Sequence, residues 1–364
     1  MQRHIDRMFP LILLAVLVAL VATACGSGTP PPASSLPSES APVAASSVPS
    51  ESAPVAASSV PSESAPAAGP FKVALIAPSA VNDLAFTQSM VEALNSLKAK
   101  YNLEIAVSDK QFVVATAANV IQDYASQGYD LVIAHGSQYG STIQQLAAKF
   151  PEVSFAWGTA GTTYDLPNVF AYQANSNEGG YVQGAMATLL STSKVLGVIG
   201  PIEVGDAKLY VDGFCAGAKS VDASISCIPV YTGSFSDVGL MATAAKTFIA
   251  NKADVLSGSA QAVVGAIGIA KSADLPWFGT QWTQESLAPE NVVSSQIYDW
   301  APTLEQILAE ISAGKLGGTA YTLTLANGGL QIQFNPGFNL AAEVKVQADG
   351  FIKGISDGTI KVSQ

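Results

Sequence analysis

Residues able to do acid–base chemistry are scarce in this 364-residue sequence, and their scarcity limits its functions. The only arginines are Arg3 and Arg7, and the only histidines are His4 and His135. A bidentate clamp on phosphate or carboxylate needs arginine, and a histidine-rich metal site needs several imidazoles. The net charge of −11 disfavours nucleic acid, whose phosphates are bound by clustered cations. We therefore expect no metal, no cofactor and no nucleic-acid partner.

The one histidine outside the N-terminal segment lies in His135-Gly136-Ser137, directly after a predicted strand. A nucleophilic serine–histidine pair needs two side chains that face each other, which adjacent residues rarely do. The sequence also lacks the phosphate-loop, dinucleotide-binding, zinc-protease and nucleophile-elbow patterns. These observations disfavour an enzyme and leave His135 with two roles, a polar group facing a ligand or a structural histidine.

Aromatic residues, by contrast, occur repeatedly at the carboxyl ends of predicted strands. Phe86 follows the first strand, Trp157 ends a later one, and Phe235 follows a strand in the second half of the chain. Trp282 and Tyr298 lie in similar places further on. Flat π-faces in a cleft suit a flat heterocycle or a cation. The pattern favours binding by stacking over catalysis.

The elements that would position these residues alternate between strand and helix. Near-continuous apolar strands, such as Phe71–Ala77 and Asp130–Ala134, are typical of parallel sheets covered on both faces. We expect an α/β fold of two doubly wound parallel-sheet lobes, with a ligand cleft at the carboxyl ends of the strands. We assign residues 71–173 with about 299–330 to the first lobe, and residues 174–298 with about 331–364 to the second.

The last part of the chain, residues 300–364, does not continue the strand–helix alternation. It predicts a helix, then a pair of strands that turns at Asn327-Gly328-Gly329, and a final helix from about Leu340. Adjacent Asn and Gly residues are typical of a tight turn between two strands.

The first 25 residues predict a targeting segment rather than part of the fold. Arg3 and Arg7 precede an apolar run, Phe9 to Val21, that is short for a membrane span and typical of a signal peptide. The run leads into small residues before Cys25, which resembles a bacterial lipobox. A lipidated Cys25 would hold the protein on the outer side of the cell membrane. Ordinary signal cleavage, with Cys25 as a bystander, is the alternative.

Residues 26–70 form a linker dominated by Pro, Ser and Ala. A 12-residue repeat starts at Ser35, Ser47 and Ser59, and the segment contains no aromatic residue. Such a composition cannot bury enough apolar surface to fold. We expect a disordered stalk between the membrane and the lobes.

Two cysteines remain once Cys25 is assigned to lipid. Cys215 and Cys227 lie 12 residues apart across a predicted helix-to-strand step. In an oxidising compartment they could form a disulfide, and the alternative is two buried free thiols. With no further Cys or His near them in the sequence, they do not suggest a metal site.

Four short motifs occur in a distinctive order: Val81–Phe86, Glu178–Gly184, Gly213-Phe214-x-x-Gly217 and Tyr231–Asp237. Their order and spacing resemble the basic membrane protein family over nearly all of residues 71–364. That family comprises lipoproteins that bind purine nucleosides for ABC importers, with a type I periplasmic-binding-protein fold. The resemblance implies an extracytoplasmic, membrane-anchored solute-binding protein whose partners are ABC permease subunits and a purine or related heterocycle.

The resemblance also implies particular site residues. The family's two stacking phenylalanines fall on Phe86 and Phe235, while its polar partners fall on Ala77, Gly158, Gln281 and Tyr298, none of which carries a charge. We therefore expect the ring sandwich to persist without the carboxylate that grips ribose, so that free bases compete well against nucleosides. The complete candidate set for ligand contact is Asn82, Asp83, Phe86, His135, Gly136, Trp157, Gly158, Phe235, Asp237, Gly258, Gln281, Trp282 and Tyr298.

Two other interpretations remain open at this stage. The same scaffold could bind another small solute, such as an amine in an aromatic cage or a sugar, or act as a sensor subunit. The second of these interpretations is an enzyme, which the scarcity of acid–base residues disfavours.

Overall fold

The computed structural model describes residues 69–363, so the predictions for Cys25, the signal segment and the linker up to residue 68 lie outside it. Within the described range, twelve strands form two six-stranded sheets. The strands are β1 (Phe71–Ile76), β2 (Leu103–Ser108), β3 (Leu131–Ala134), β4 (Ser154–Gly158), β5 (Val169–Ala174), β6 (Val195–Gly200), β7 (Ser226–Tyr231), β8 (Val255–Gly258), β9 (Trp277–Gln281), β10 (Val292–Tyr298), β11 (Ala320–Leu323) and β12 (Leu330–Phe334). The helices are α1 (Phe86–Leu97), α2 (Val114–Ser126), α3 (Gly140–Lys149), α4 (Ser176–Leu190), α5 (Gly205–Val221), α6 (Val238–Ala250), α7 (Val264–Ser272), α8 (Ala301–Ser312) and α9 (Ala342–Ser356).

Each sheet is the centre of one lobe. The first sheet has the order β11-β5-β4-β3-β1-β2 and its strands are all parallel. The second has the order β12-β10-β9-β8-β6-β7 and is parallel except for β12, which runs antiparallel to β10. The α/β fold of two doubly wound, parallel-dominated sheets is confirmed.

The near-continuous apolar strands are explained by burial on both sides of each sheet. In β1, Val73 and Leu75 belong to one hydrophobic core, whereas Ala74 and Ile76 belong to another. All four side chains are fully buried. Because successive side chains of a strand point to opposite faces, a sheet covered twice needs apolar residues at every position.

The strands on either side of the turn at residues 327–329 do not form a hairpin. β11 pairs with β5 in the first sheet, and β12 pairs with β10 in the second. Gly328 has φ +75°, and the Asn327 Oδ1 accepts a hydrogen bond from the backbone N–H of Thr324. The turn therefore carries the chain from one lobe to the other, where each strand finds an open sheet edge to pair with.

Glycines bring α4 and α5 into direct backbone contact. A Cβ at Gly184 of α4 would lie 1.8 Å from the carbonyl oxygen of Phe214, and one at Gly217 of α5 would lie 1.9 Å from that of Tyr181. Any larger residue would push the helices apart. The motifs that contain these glycines thus specify helix packing in the second lobe.

A disulfide joins Cys215 of α5 to Cys227 of β7, with the two Cα atoms 5.5 Å apart. β7 is the edge strand of the second sheet. The cross-link therefore ties the edge of the sheet to the helix that packs beside it.

Candidate ligand-binding site

A cavity of about 250 Å³ lies between the lobes, at the carboxyl ends of strands from both sheets. This is the edge at which parallel sheets bind ligands. From the first lobe it is lined by Pro78, Phe86, Phe112, Gly136, Ser137, Gln138 and Thr159. From the second lobe it is lined by Pro201, Ile202, Val204, Gly205, Asp206, Ala207, Phe235, Ser259, Ala260, Gln261 and Gln281.

The first-lobe side of the cavity is built on an aromatic wall of Phe86, His135, Tyr172 and Trp300. The rings of Phe86 and His135 stack with centroids 3.8 Å apart and planes 7° apart. His135 also stacks on Tyr172 at 5.9 Å, while Trp300 meets Phe86 edge-on at 6.3 Å. Phe86, which lines the cavity, is thus held by a rigid stack behind it.

Hydrogen bonds fix the orientation of the His135 ring. Its Nε2 lies 2.9 Å from the carbonyl oxygen of Phe86, and its Nδ1 lies 2.8 Å from the hydroxyl of Tyr172. Since a carbonyl can only accept, Nε2 carries the proton and Nδ1 accepts from Tyr172. Burial lowers the pKa of His135 to about 3, so the ring is neutral at physiological pH. The structure places His135 behind Phe86, outside the residues that line the cavity.

The two lobes touch at residues that line the cavity. Phe235 of the second lobe packs on Phe112 of the first, with ring centroids 6.0 Å apart and planes 51° apart. A Cβ at Gly205 would lie 3.0 Å from the Thr159 Cγ2 of the other lobe. Phe112, which is 49% exposed, was not predicted. The signal that could have found it is its position just after β2, the rule that identified the other aromatic residues.

The second-lobe side presents an acceptor wall of Asp206, Ser259, Gln261 and Gln281. Ser259 is 0% exposed and Gln281 4% exposed. The Ser259 Oγ, Gln261 Oε1 and Gln281 Oε1 atoms are buried without a hydrogen-bond partner in residues 69–363. A buried polar atom left unpaired costs about 1–3 kcal/mol, so a polar group from a ligand or water is needed here.

Asp206 is the acid that sequence reasoning missed. It is the second residue of α5, and its Oδ2 accepts a hydrogen bond of 3.1 Å from the hydroxyl of Tyr298. Burial raises the pKa of its carboxyl, while hydrogen bonds from Tyr298 and Gln281 act in the opposite direction. An acid in the first turn of a helix that follows a parallel strand was the available signal.

Two residues that line the cavity have a strained backbone, as have eight other non-glycine residues elsewhere in the described part of the chain. Gln281 has φ +75° and Thr159 has φ +57°, although neither is glycine. Such conformations are held only when the surroundings demand them and are common at binding sites. Here these backbone conformations position the side chains of Gln281 and Thr159, which line the cavity from opposite lobes.

Of the predicted contacts, Phe86, Gly136, Phe235 and Gln281 line the cavity. The two predicted acids do not line it, because each serves a helix N-terminus. Asp83 accepts hydrogen bonds from backbone N–H groups at the start of α1, and Asp237 accepts one from the N–H of Leu240 at the start of α6. Both carboxylates therefore satisfy backbone donors.

Three other predicted residues belong to the packing around the cavity. The Trp157 Nε1 donates to the Gly136 carbonyl oxygen at 3.2 Å, which holds the loop after β3. A Cβ at Gly158 would lie 2.8 Å from the Tyr172 hydroxyl oxygen, and one at Gly258 would lie 3.1 Å from Trp277. These glycines make room for large neighbouring rings.

The remaining three predictions also fall outside the lining. Trp282 and Tyr298 line a second, more open depression of about 320 Å³ beside α1. Tyr298 reaches the cavity only through its bond to Asp206. Asn82 is exposed in the loop before α1 and does not line the cavity.

Within the described range the structure offers neither a membrane-crossing helix nor a metal centre. No helix there is long and apolar enough to span a bilayer. No group of three or more His, Cys, Asp or Glu side chains there could hold a metal ion.

Comparison with known proteins adds the family context. The family model described as ABC transporter substrate-binding protein, PnrA-like, matches residues 71–363. The ABC transporter nucleoside-binding protein BmpA of Lactococcus lactis subsp. cremoris is 28% identical over 314 residues, which cover 80% of this chain and 88% of that protein. A purine-binding protein of Brucella abortus is 29% identical over 188 residues, 52% of this chain and 53% of that protein, so the match spans about half of its length.

A solved structure supports the same family assignment. The solute-binding protein of an ABC transporter system from Conexibacter woesei has a TM-score of 0.69 and 25% sequence identity, covering 80% of this chain and 98% of its own. The family model spans both lobes and the cavity between them. The chain therefore belongs to the family of PnrA-like substrate-binding proteins of ABC transporters.

Proposed function

We propose that this substrate-binding protein is lipid-anchored outside the cell and binds a purine base or a nucleoside-like heterocycle. The observation that carries this proposal is a cavity between the lobes that is lined by Phe86 from the first lobe and by Phe235 from the second. Aromatic faces bind flat heterocycles by stacking, at about 1–3 kcal/mol for each base.

The size of the cavity supports a small ligand. Sites for drug-sized molecules have volumes of roughly 300–1,000 Å³, and this cavity has about 250 Å³. A single heterocycle, with little or nothing attached to it, suits that volume. Two relatives are named for purine and nucleoside binding, which agrees with the same ligand class.

The direct test is to identify what the protein already carries. The full-length protein would be purified without denaturation and its ligand released and identified by mass spectrometry, followed by calorimetric titration of the stripped protein with adenine, guanine, hypoxanthine and their nucleosides. We expect a purine to co-purify and to bind one-to-one without turnover. Turnover of a nucleoside, or binding of no purine at all, would contradict the proposal.

The anchor is tested separately through Cys25. Only its thiol accepts the diacylglycerol of a lipobox, so Cys25→Ser should move the protein from the membrane fraction to the soluble fraction. Cys215 and Cys227, joined to each other, are not available to take over this role. A Cys25→Ser protein that still partitions into detergent would overturn the anchor.

The partners follow from the family. The substrate-binding component of an ABC transporter delivers its ligand to permease subunits. We infer that the two lobes of this chain present the bound ligand to such a permease at the membrane. Cross-linking in intact cells, with the permease subunits identified by mass spectrometry, tests this.

A further inference from the structure

Several side-chain oxygens of the acceptor wall have no hydrogen-bond partner among residues 69–363. Gln281 shows this clearly, because its side chain faces the Asp206 carboxyl and acts to lower its pKa. A carboxylate accepts only, so the amide nitrogen of Gln281 must face Asp206. The Oε1 is thereby left as the free end, and it is buried without a partner in residues 69–363.

Asp206 adds a second acceptor beside the first. The hydroxyl of Tyr298, which is fully buried, donates to Oδ2 and holds the carboxyl from behind. Gln281 and the backbone N–H groups of Asp206 and Ala207 also act on this carboxyl and lower its pKa. Asp206 itself lines the cavity, so a donor on the ligand would share a carboxyl oxygen with these groups or replace one of them.

No positive charge balances this wall. Among the cavity-lining residues that the structure describes, none is Lys, Arg or His. The first turn of α5 also lines the cavity, but Asp206 itself offsets the partial positive charge of that helix end. An anionic ligand would therefore meet the Asp206 carboxylate with no lysine, arginine or histidine of the lining to offset it. In a site of low dielectric, such like-charge contact is strongly unfavourable.

We propose that Asp206 and Gln281 determine the specificity of the cavity by accepting hydrogen bonds from neighbouring N–H or O–H groups of the ligand. The site then takes uncharged or cationic heterocycles that carry donors and rejects anionic ones such as nucleotides. This deepens the proposed function and rests on it, since the ligand must occupy this cavity. Gln281 is positioned by its strained backbone, and Asp206 by Tyr298.

The test compares Asp206→Asn with a matched control on the same helix. Asp212 of α5 is paired with Lys208 at the surface and does not line the cavity, so Asp212→Asn makes the same change in charge elsewhere. The full-length protein would be titrated calorimetrically with adenine, adenosine and adenosine 5′-monophosphate. Thermal unfolding of each variant verifies that it folds.

We expect Asp206→Asn to weaken binding of adenine, adenosine or both by about 10- to 150-fold, which is the worth of a hydrogen bond to a charged group. Asp212→Asn should stay within about twofold, and the monophosphate should bind wild type more than about 100-fold more weakly than adenosine. A loss confined to adenosine places the donors on the ribose and supports the assignment. Affinities within twofold for both ligands, or tight binding of the monophosphate, would overturn it.

A second variant keeps the test decisive if Asp206→Asn fails to fold. Gln281→Met removes the neutral acceptor while keeping the length of the side chain, and it should weaken binding of adenine, adenosine or both by about 2- to 10-fold. Unchanged binding of both ligands in this variant would count against the acceptor role of Gln281.

The ligand class and the acceptor role can fail separately. If the wild-type protein binds no purine, the proposed function fails. The acceptor role is then tested with two ligands that share one ring system and carry opposite charges. Tryptamine and indole-3-acetate would be compared by thermal shift in wild type and Asp206→Asn. Stabilisation of wild type alone by tryptamine would support the acceptor wall, whereas stabilisation by indole-3-acetate, or by neither compound, would overturn it.

Discussion

The two sides of the cavity differ in whether they are complete without a ligand. In the aromatic wall, both ring nitrogens of His135 have partners and Trp300 donates to the Ser89 hydroxyl at 2.9 Å. In the acceptor wall, the Ser259, Gln261 and Gln281 side-chain oxygens have no partner within the described residues. One lobe thus provides a finished platform, and the other provides groups that need a ligand or water to pair with.

This difference separates two contributions to binding. The aromatic wall stabilises the folded protein as well as the bound ligand, because its rings also pack in the hydrophobic core. Unpaired buried acceptors reduce stability until something binds them. We therefore expect changes on the aromatic side to cost both stability and affinity, and changes on the acceptor side to cost affinity alone.

The largest effect is expected from Phe86→Ala. Phe86 is 5% exposed and packed on His135, so the free energy of unfolding should fall by about 3–5 kcal/mol, as for other buried phenylalanines. Ligand affinity should fall about 5- to 150-fold through lost stacking. Chemical denaturation and calorimetry measure the two effects on the same protein.

Phe235→Ala is the matched comparison for that change. Phe235 is only half-buried, so its removal should cost similar affinity but much less stability. Unchanged calorimetric affinity in both variants would remove stacking from the site.

The next effect is the acid sensitivity of the aromatic wall. Burial holds the pKa of His135 at about 3 in the folded state, against about 6.5 when unfolded. Between these values the unfolded state binds the extra proton, so stability is lost as pH falls through that window. From pH 6.5 to pH 4, this should amount to about 3 kcal/mol in the free energy of unfolding. His135→Gln should show a shallower pH dependence in denaturant titrations, and an identical slope would contradict a neutral buried imidazole.

A smaller effect of opposite sign is expected from Asp206→Asn on stability. Because burial raises the pKa of Asp206, the folded state holds its proton more tightly than the unfolded state. The ionised carboxyl therefore costs stability at neutral pH, and this cost disappears as pH falls below the unfolded value. Asp206→Asn should raise the midpoint of thermal unfolding at pH 7 and leave it nearly unchanged at pH 3. A lower midpoint at pH 7 would mean that the acceptor wall is structural.

The smallest effect is the difference between a base and its nucleoside. If the ring platform supplies most of the binding energy, adenine and adenosine should differ by less than about tenfold in affinity. Side-by-side titration of bases and nucleosides measures this. A hundredfold preference for nucleosides would mean that hydrogen bonds to the ribose outweigh stacking.

Much of the fold was predictable because it depends on local pattern. Strands such as Phe71–Ile76 were recognisable from their continuous apolar residues, because both faces of each sheet are covered. Phe86 and Phe235 were recognisable because they follow predicted strands. The expectation that the strands around residues 327–329 pair with each other was wrong, because a turn motif does not specify which sheet edges lie beside it.

The sequence by itself determined the two-lobed α/β architecture, the family and two of the cavity's aromatic residues, Phe86 and Phe235, because apolar periodicity and short motifs act over short stretches. Only the tertiary structure decided which polar groups face the cavity. Asp83 and Asp237 follow strands as plausibly as Asp206 does, yet their oxygens are taken by helix N–H groups a few residues away. Asp206 is held by Tyr298, 92 residues along the chain. The direction of a side chain at the end of a strand depends on partners that only the folded chain brings together.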